Sequence, residues 1–365
     1  MLMEDTSKRL EALVGLKAVQ WINGPVGSGK SWILKEKVKD LSGRRGGEQI
    51  LVVCFNKPFS KSLKEEFKDC SGVVVKVFNE LLSEITKKRC GSDQEMEENI
   101  NCAVEILKGK TPEYDHIFVN ECEHLIGEKW PVLFQKMWKG NEEVPGCKCK
   151  WFFYDTNQCG GWSDEGHRTA FPTTVELTRV LRTTGNIFDQ CKKYLDPEKI
   201  MLGPKDCGLN IQWQASLPSR EVTVSEGAGL VAKCIVKLRK ENVSEADVCV
   251  LVQNEEIRDQ LSSELKELDV DNHNAEEQFE GNHKNKVVVE SIRRFKGLKS
   301  RVVILYNPEF TFAHNSHIRQ LLYTAFSRCT CYLVVITTDI GVASLKSEKG
   351  FGMTDHMTVK MFQEL

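Results

Sequence analysis

The sequence predicts an α/β protein of two units, each built on a parallel sheet. Three observations carry that expectation. Short apolar runs recur without polar alternation, as strands buried on both faces require. Polar and helically spaced segments separate those runs, which suits strand–helix–strand units. A chain of 365 residues is also long for a single core.

The first set of runs lies at residues 18–22, 49–55, 72–78, 116–119 and 150–154, and the second at 247–252, 287–289, 301–305 and 332–336. These divide the chain into a first unit over residues 1–190 and a second over 191–365. The stretch 265–285 is rich in Asp, Glu, Asn and His and reads as a surface excursion of the second unit. In open parallel sheets, ligands sit beyond the carboxyl ends of the strands, so those ends are where chemistry is sought. No internal repeat of fixed period is present.

Composition narrows the function. Hydrophobic residues make up 41% and charged residues 28%, as in ordinary globular domains. Net charge is −2, so any contact with nucleic acid must come from local patches. No apolar run reaches the roughly 18 residues that a membrane-spanning helix needs. The start of the chain is acidic and lacks the apolar centre of a secretory signal. Fourteen cysteines scattered through a long chain fit reduced thiols in an intracellular protein. Cys147/Cys149 and Cys329/Cys331 are C-x-C pairs without the further ligands a zinc site requires. Lys87-Lys88-Arg89 is too short to direct the chain to the nucleus, so cytoplasm and nucleus both stand.

Gly24-Pro25-Val26-Gly27-Ser28-Gly29-Lys30-Ser31 matches the phosphate-loop pattern G-x-x-x-x-G-K-[ST]. A strand precedes it and a helically spaced segment follows, which is the context that makes the pattern specific. Gly24, Gly27, Ser28 and Gly29 let backbone N–H groups converge on a triphosphate. Lys30 reaches the β and γ phosphates, and the Ser31 hydroxyl ligates Mg²⁺. The strand at 116–119 ends in Asn120-Glu121-Cys122-Glu123. In a motor ATPase this position delivers an Asp that holds Mg²⁺ and a Glu that polarises the attacking water. Here Glu121 stands in place of that base, and Asn120 replaces the metal-binding acid. An amide cannot offset the charge of Mg²⁺, so metal binding and hydrolysis are both expected to be weakened.

Further segments follow in order. They are Val52-Val53-Cys54-Phe55-Asn56-Lys57-Pro58, Val77-Phe78-Asn79-Glu80-Leu81-Leu82 and Tyr154-Asp155-Thr156-Asn157-Gln158, then Leu177-Thr178-Arg179-Val180-Leu181-Arg182, Ser291 to Lys299, and Tyr323-Thr324-Ala325-Phe326-Ser327-Arg328. Taken with the phosphate loop, this series resembles a superfamily-1 helicase core of the UvrD type. It resembles most closely the carboxy-terminal helicase-like region of Schlafen proteins, over about residues 17–340.

That resemblance implies two RecA-like P-loop NTPase domains with parallel sheets and a nucleotide cleft between them, using ATP and Mg²⁺. It implies that Gln158 senses the γ phosphate, that Arg182 contacts it, and that Arg328 acts as an arginine finger. It also implies single-stranded RNA or DNA as partner, met by Asn56, Lys57, Asn79, Arg293, Arg294 and Lys296. The pattern is departed from at Asn79, where the family has His, at Asn120 and Glu123, where it has Asp and Gln, and at Lys299, where it has Glu. Schlafen proteins typically carry an amino-terminal nuclease-like core that has no counterpart here. The chain is therefore expected to be either a fragment lacking that domain or a free-standing module.

Three functions stand at this point. One is a weak, nucleic-acid-dependent ATPase. The second is a switch that binds nucleotide without hydrolysing it and docks a protein or nucleic acid. The third is a small-molecule kinase or GTPase, which leaves Gln158, Arg182 and Arg328 unexplained. A GTPase also lacks its N-K-x-D element, since Asn56-Lys57-Pro58-Phe59 ends without the acid. The 293–301 cations read equally as a polyanion contact or as a solvated loop. Phe55 and Phe78 read more readily as core than as base-stacking platforms.

Overall fold

The computed structural model describes residues 18–44, 46–89, 93–125, 128–142, 148–158, 171–194, 203, 206–217, 224–279, 286–306 and 316–346. Cys147 and residues 280–285 of the expected excursion lie outside them. The described residues divide into two units, one running to Gln158 and resuming at 171–178, the other taking in Arg179 onward.

In the first unit six strands form one sheet, β1 (Val19–Asn23), β2 (Ile50–Cys54), β3 (Val73–Val77), β4 (His116–Asn120), β5 (Lys150–Tyr154) and β6 (Val175–Glu176). Their order is β3-β2-β4-β5-β1-β6, with every neighbouring pair parallel. The helices between them are α1 (Lys30–Ser42), α2 (Lys57–Glu66), α3 (Phe78–Thr86), α4 (Asp93–Ile106) and α5 (Trp130–Met137). β2, β4 and β5 are buried along their whole length, which accounts for their unbroken apolar runs.

Side chains alternate between the faces of a strand, so Leu51 and Val53 share one face. There they join Phe78, Leu82, Ile117, Trp130, Phe134 and Phe152 in a single core. Trp130 meets Phe152 edge-on, with centroids 5.4 Å apart and planes at 73°, a geometry that aromatic quadrupoles favour. Each such ring contributes roughly 2–3 kcal/mol through the water it sheds.

In the second unit the strands are β7 (Gln212–Leu217), β8 (Val248–Val252), β9 (Asn272–His273), β10 (Val287–Ser291), β11 (Ser300–Tyr306) and β12 (Cys329–Thr338). They lie in the order β7-β12-β11-β8-β10-β9, again wholly parallel. The helices are α6 (Gly185–Lys192), α7 (Val224–Lys240), α8 (Glu255–Glu267), α9 (Ser316–Ser327) and α10 (Asp339–Lys346). Val250, Val289, Ile304, Val334 and Ile336 bring the strands into one core with Val231 and Ile235 of α7. Both units are α/β with parallel sheets, as expected of RecA-like domains.

The expected surface excursion is partly interior. Asn272 and His273 form the edge strand β9 and are buried. Asn272 satisfies its amide internally, donating Nδ2 to Ser262 O at 3.1 Å and to Val270 O at 3.0 Å. Polar residues can be buried when they are bonded in this way, while Lys266, Glu267, Asp269, Asp271, Glu277 and Gln278 of the same segment stay exposed. Among the described residues no helix is long and apolar enough to cross a membrane. The described cysteines are free thiols. Cys54, Cys191, Cys249 and Cys329 are buried, while Cys207 and Cys331 are exposed.

A charged cluster closes the amino end of the first sheet. Asp115 accepts Gln49 N–H at 2.9 Å and pairs with Lys139 at 3.2 Å and Lys148 at 2.9 Å. Burial pushes its carboxyl up, but the Gln49 bond and the two lysines outweigh this and hold it down to about 2. A depressed carboxylate stabilises the fold above its unfolded pKa, and that stability is lost as pH falls toward the folded value. Between pH 4 and pH 2 the wild type is therefore expected to lose about 2 kcal/mol more in urea unfolding than Asp115→Asn loses. Equal losses would show that the cluster is not depressed.

Candidate nucleotide site and nucleic-acid interface

The phosphate loop leaves β1 at Asn23 and enters α1 at Lys30. Its first N–H, from Gly24, donates to Tyr154 O of β5 at 3.2 Å, and Ser28 N–H donates to Pro25 O at 3.2 Å. Gly27 (φ 83°) and Gly29 (φ 104°) are both left-handed, a conformation other residues adopt at a cost. A Cβ at Gly24 would lie 2.6 Å from Ser28 Oγ and 2.8 Å from Leu177 Cβ, so the first glycine is required by packing. Lys30 folds back, with Nζ donating to Gly24 O and, at 3.1 Å, to Pro25 O. The first turn of α1 contains no acidic residue, so the positive end of a 13-residue helix is not offset locally. Backbone donors, the helix end and the Lys30 ammonium together form a cradle for an anion.

Two neighbouring strand ends present acids and amides. β4 ends at Asn120, which is buried, and Glu121 follows with φ 58°, 8% exposed. A left-handed glutamate is strained, and it opens the short turn Cys122–His124, where His124 N–H returns to Glu121 O at 3.2 Å. β5 pairs with β4 on one side and β1 on the other, so its end, Asp155 to Gln158, lies between them. Ser31 and Asn120 are both oxygen donors, which Mg²⁺ accepts, though neither is charged. Among the described residues no three His, Cys, Asp or Glu side chains gather to hold a metal ion.

In the second unit Arg182 and Arg328 are neighbours. Burial first, then the Arg328 cation, lowers Arg182 to about 10. Its Nη1 is buried and has no hydrogen-bond partner among the described residues. Arg328 is 2% exposed, and its guanidinium donates to Thr324 O at 3.1 Å, Leu298 O at 3.3 Å and Ser327 Oγ at 3.2 Å. Two like charges placed side by side raise each other's energy, and an anion would relieve both.

The expected nucleic-acid residues fall into different settings. Lys57, Asn79 and Arg293 are exposed, and Lys296 is half-buried. Asn56 caps α2, its Oδ1 accepting Phe59 N–H at 3.0 Å. Arg294 belongs to an internal ion network centred on Glu290, which is fully buried at the carboxyl end of β10. Glu290 pairs with Arg258 at 3.1 Å and Arg294 at 3.6 Å, and accepts Ala275 N–H at 3.2 Å and Ser291 N–H at 2.8 Å. Arg294 also pairs with Glu276. Phe78 is buried, with Phe55 stacked on it at 5.4 Å and His124 tilted against Phe55 at 5.5 Å. His124, Asn23 and Glu290 were not singled out by the sequence. Their roles depend on which strand ends lie side by side.

Residues 286–336 match the family of UvrD-like helicase C-terminal domains. That segment runs from β10 to β12 and contains Arg293, Arg294, Lys296 and Arg328. No curated protein matches the chain. Solved structures that resemble it include arterivirus nonstructural protein 10, a helicase, at 13% identity and TM-score 0.41, covering 90% of this chain and 62% of that one. The same arterivirus helicase in complex with DNA resembles it at 14% identity and TM-score 0.44, covering 90% and 64%. The chain thus spans less than two thirds of the length of those helicases.

Arg294→Ala should lower the stability of the chain by about 2 kcal/mol, because Glu290 loses a charged partner. Denaturant unfolding of the variant checks this, and an unchanged midpoint would show that Glu290 does not depend on Arg294. Glu121→Gly should raise stability by about 0.5–1 kcal/mol by removing the left-handed strain. A drop in its melting temperature would show that Glu121 is held there by contacts rather than strained.

Proposed function

We propose that this chain is an ATP-binding, helicase-type module of the Schlafen-like kind that engages single-stranded nucleic acid and hydrolyses ATP slowly. The observation that carries the reading is the phosphate loop, with two left-handed glycines and Lys30 seated at the end of β1 against β5. The loop N–H groups and Lys30 bind the β and γ phosphates. Ser31 and Asn120 provide oxygens for Mg²⁺, and Glu121 is the general base. Arg182 and Arg328 answer the charge that develops on the γ phosphate, a role that suits two guanidiniums lying close together. The UvrD-like segment at 286–336 supports the helicase-type reading.

The slow turnover follows from Asn120. A neutral amide leaves Mg²⁺ held by phosphates and Ser31, so the cation binds more weakly and positions less well. The same residue favours a second reading, a nucleotide-dependent switch with no turnover that docks nucleic acid or a protein partner. Lys57, Asn79, Arg293 and Lys296 are the proposed polyanion contacts, with binding that weakens as salt rises.

Steady-state ATP hydrolysis with Mg²⁺, with and without single-stranded RNA or DNA, tests the reading. Wild type should be stimulated by a single strand, Lys30→Ala should lose at least about tenfold in turnover, and Asn120→Asp should gain about tenfold. Nucleotide binding without turnover, restored by Asn120→Asp, would favour the switch. Absence of nucleotide binding would sink both.

A further inference from the structure

Asn23, the last residue of β1, is 6% exposed, and both ends of its amide are fixed by what they meet. A backbone N–H only donates, so the oxygen faces Thr156, whose N–H it accepts at 3.3 Å. A carboxylate only accepts, so the nitrogen faces Glu176 and donates to both of its oxygens at 3.0 Å. The Asn23 carbonyl also accepts Leu177 N–H at 2.9 Å. One residue thus joins β1 to the turn after β5 and to the edge strand β6.

β6 is a weakly paired strand. It meets β1 at only two positions, Ile22 with Val175 and Asn23 with Glu176. Before it, Thr174 exchanges bonds with Trp21, accepting its N–H through Oγ1 at 2.8 Å and donating its own N–H to Trp21 O at 2.9 Å. At its far end the tie is the clasp of Asn23 on Glu176. Leu177 comes next and forms a wall for the start of the phosphate loop. A Cβ at Gly24 would lie 2.8 Å from Leu177 Cβ and 3.2 Å from Leu177 O. Gly24 directly follows Asn23 and is bonded to Tyr154 O. The clasp therefore holds both the strand that launches the loop and the wall against which its first glycine lies.

A phosphate loop binds through backbone N–H groups, and their convergence depends on how the loop is supported at its root. We propose that Asn23 and Glu176 are a positioning pair for the phosphate loop, raising its affinity for a nucleoside di- or triphosphate through Gly24 and Leu177. This rests on the ATP reading above. Sign separates such a role from a plain electrostatic one. A carboxylate beside an anion site repels the anion, so if charge alone mattered, removing Glu176 would tighten nucleotide binding. Removing a clasp loosens it. Glu176 is exposed, so water and salt screen its charge, while its bonds to Asn23 remain directional.

The test measures ATP and ADP affinity with Mg²⁺, alongside thermal unfolding, in the wild-type chain, Glu176→Ala, Glu176→Gln and Asn23→Ala. Glu176→Ala should bind both nucleotides about fivefold more weakly, with its unfolding midpoint within about 5 °C of wild type. Glu176→Gln keeps an acceptor for Asn23 Nδ2 and should recover all but about twofold of that loss. Asn23→Ala loses the bonds to Thr156 and Glu176 together and should weaken binding at least about tenfold. If Asn23→Ala does not fold, the two Glu176 variants decide alone. Tighter or unchanged binding in Glu176→Ala would overturn the proposal and leave Glu176 a plain surface acid. Equal weakening in Glu176→Ala and Glu176→Gln would overturn it too, because the charge and not the bond to Asn23 would be at work. A midpoint that falls by more than about 5 °C in Glu176→Ala would make the clasp a general support of the fold, which also overturns it. Wild type that binds neither nucleotide would remove the ATP reading itself, an outcome that no difference between variants imitates.

Discussion

The hydrogen bond from Gly24 N–H to Tyr154 O, 3.2 Å long, is the constraint on which the placement of the phosphate-loop motif depends. It joins the residue after β1 to the end of β5, and parallel register does the rest. Asn23 lies opposite Tyr154, and Asn120 lies opposite Phe153, so three strand ends arrive at one edge of the sheet. A parallel sheet delivers all its carboxyl ends to the same side, which is why residues more than a hundred positions apart become neighbours. Were β5 displaced by one residue, every side chain at its end would change face.

Charge is distributed by a consistent logic. The first turn of α1 holds no acidic residue, and Arg182 has the Arg328 cation beside it. Where a cation serves architecture, it is surrounded by acids. Arg258 and Arg294 share Glu290, and further carboxylates from Glu255, Asp259 and Glu276 close around them. A buried carboxylate such as Glu290 is stable only with that many donors, so it dictates where the turn after β10 begins. Sequence proximity to Arg293 and Lys296 conceals how differently Arg294 is placed.

Much of the fold was legible because buried parallel strands announce themselves. The runs at 49–55, 116–119 and 150–154 correspond to β2, β4 and β5, each interior on both faces. Short edge strands were not legible. β6 and β9 are two residues each and polar or mixed, so no periodicity could reveal them. The phosphate loop could be read in full, because its constraints are local and steric. Gln158 could be named, but not the bond that its Nε2 donates to the buried Asp155. Asn23 carried no signal, since its partners are Thr156 and Glu176, more than 130 positions away. The Asn56 cap was readable in principle from the Pro58 that follows it, a common start to a helix.

The thiols have a consequence for chemistry in a cell. Burial pushes Cys54 and Cys329 up to about 12, and Cys249 is also raised well above its usual range. Oxidants and electrophiles attack the thiolate, and at neutral pH such groups are ionised only about once in 10⁵ molecules. Cys54 ends β2, two residues before Asn56, and Cys329 directly follows Arg328. Peroxide or alkylating agents should therefore modify the exposed Cys207 and Cys331 long before they reach either strand. Among the described residues, the thiols at the end of β2 and the start of β12 are thus shielded from oxidants, whereas Cys207 and Cys331 are open to them.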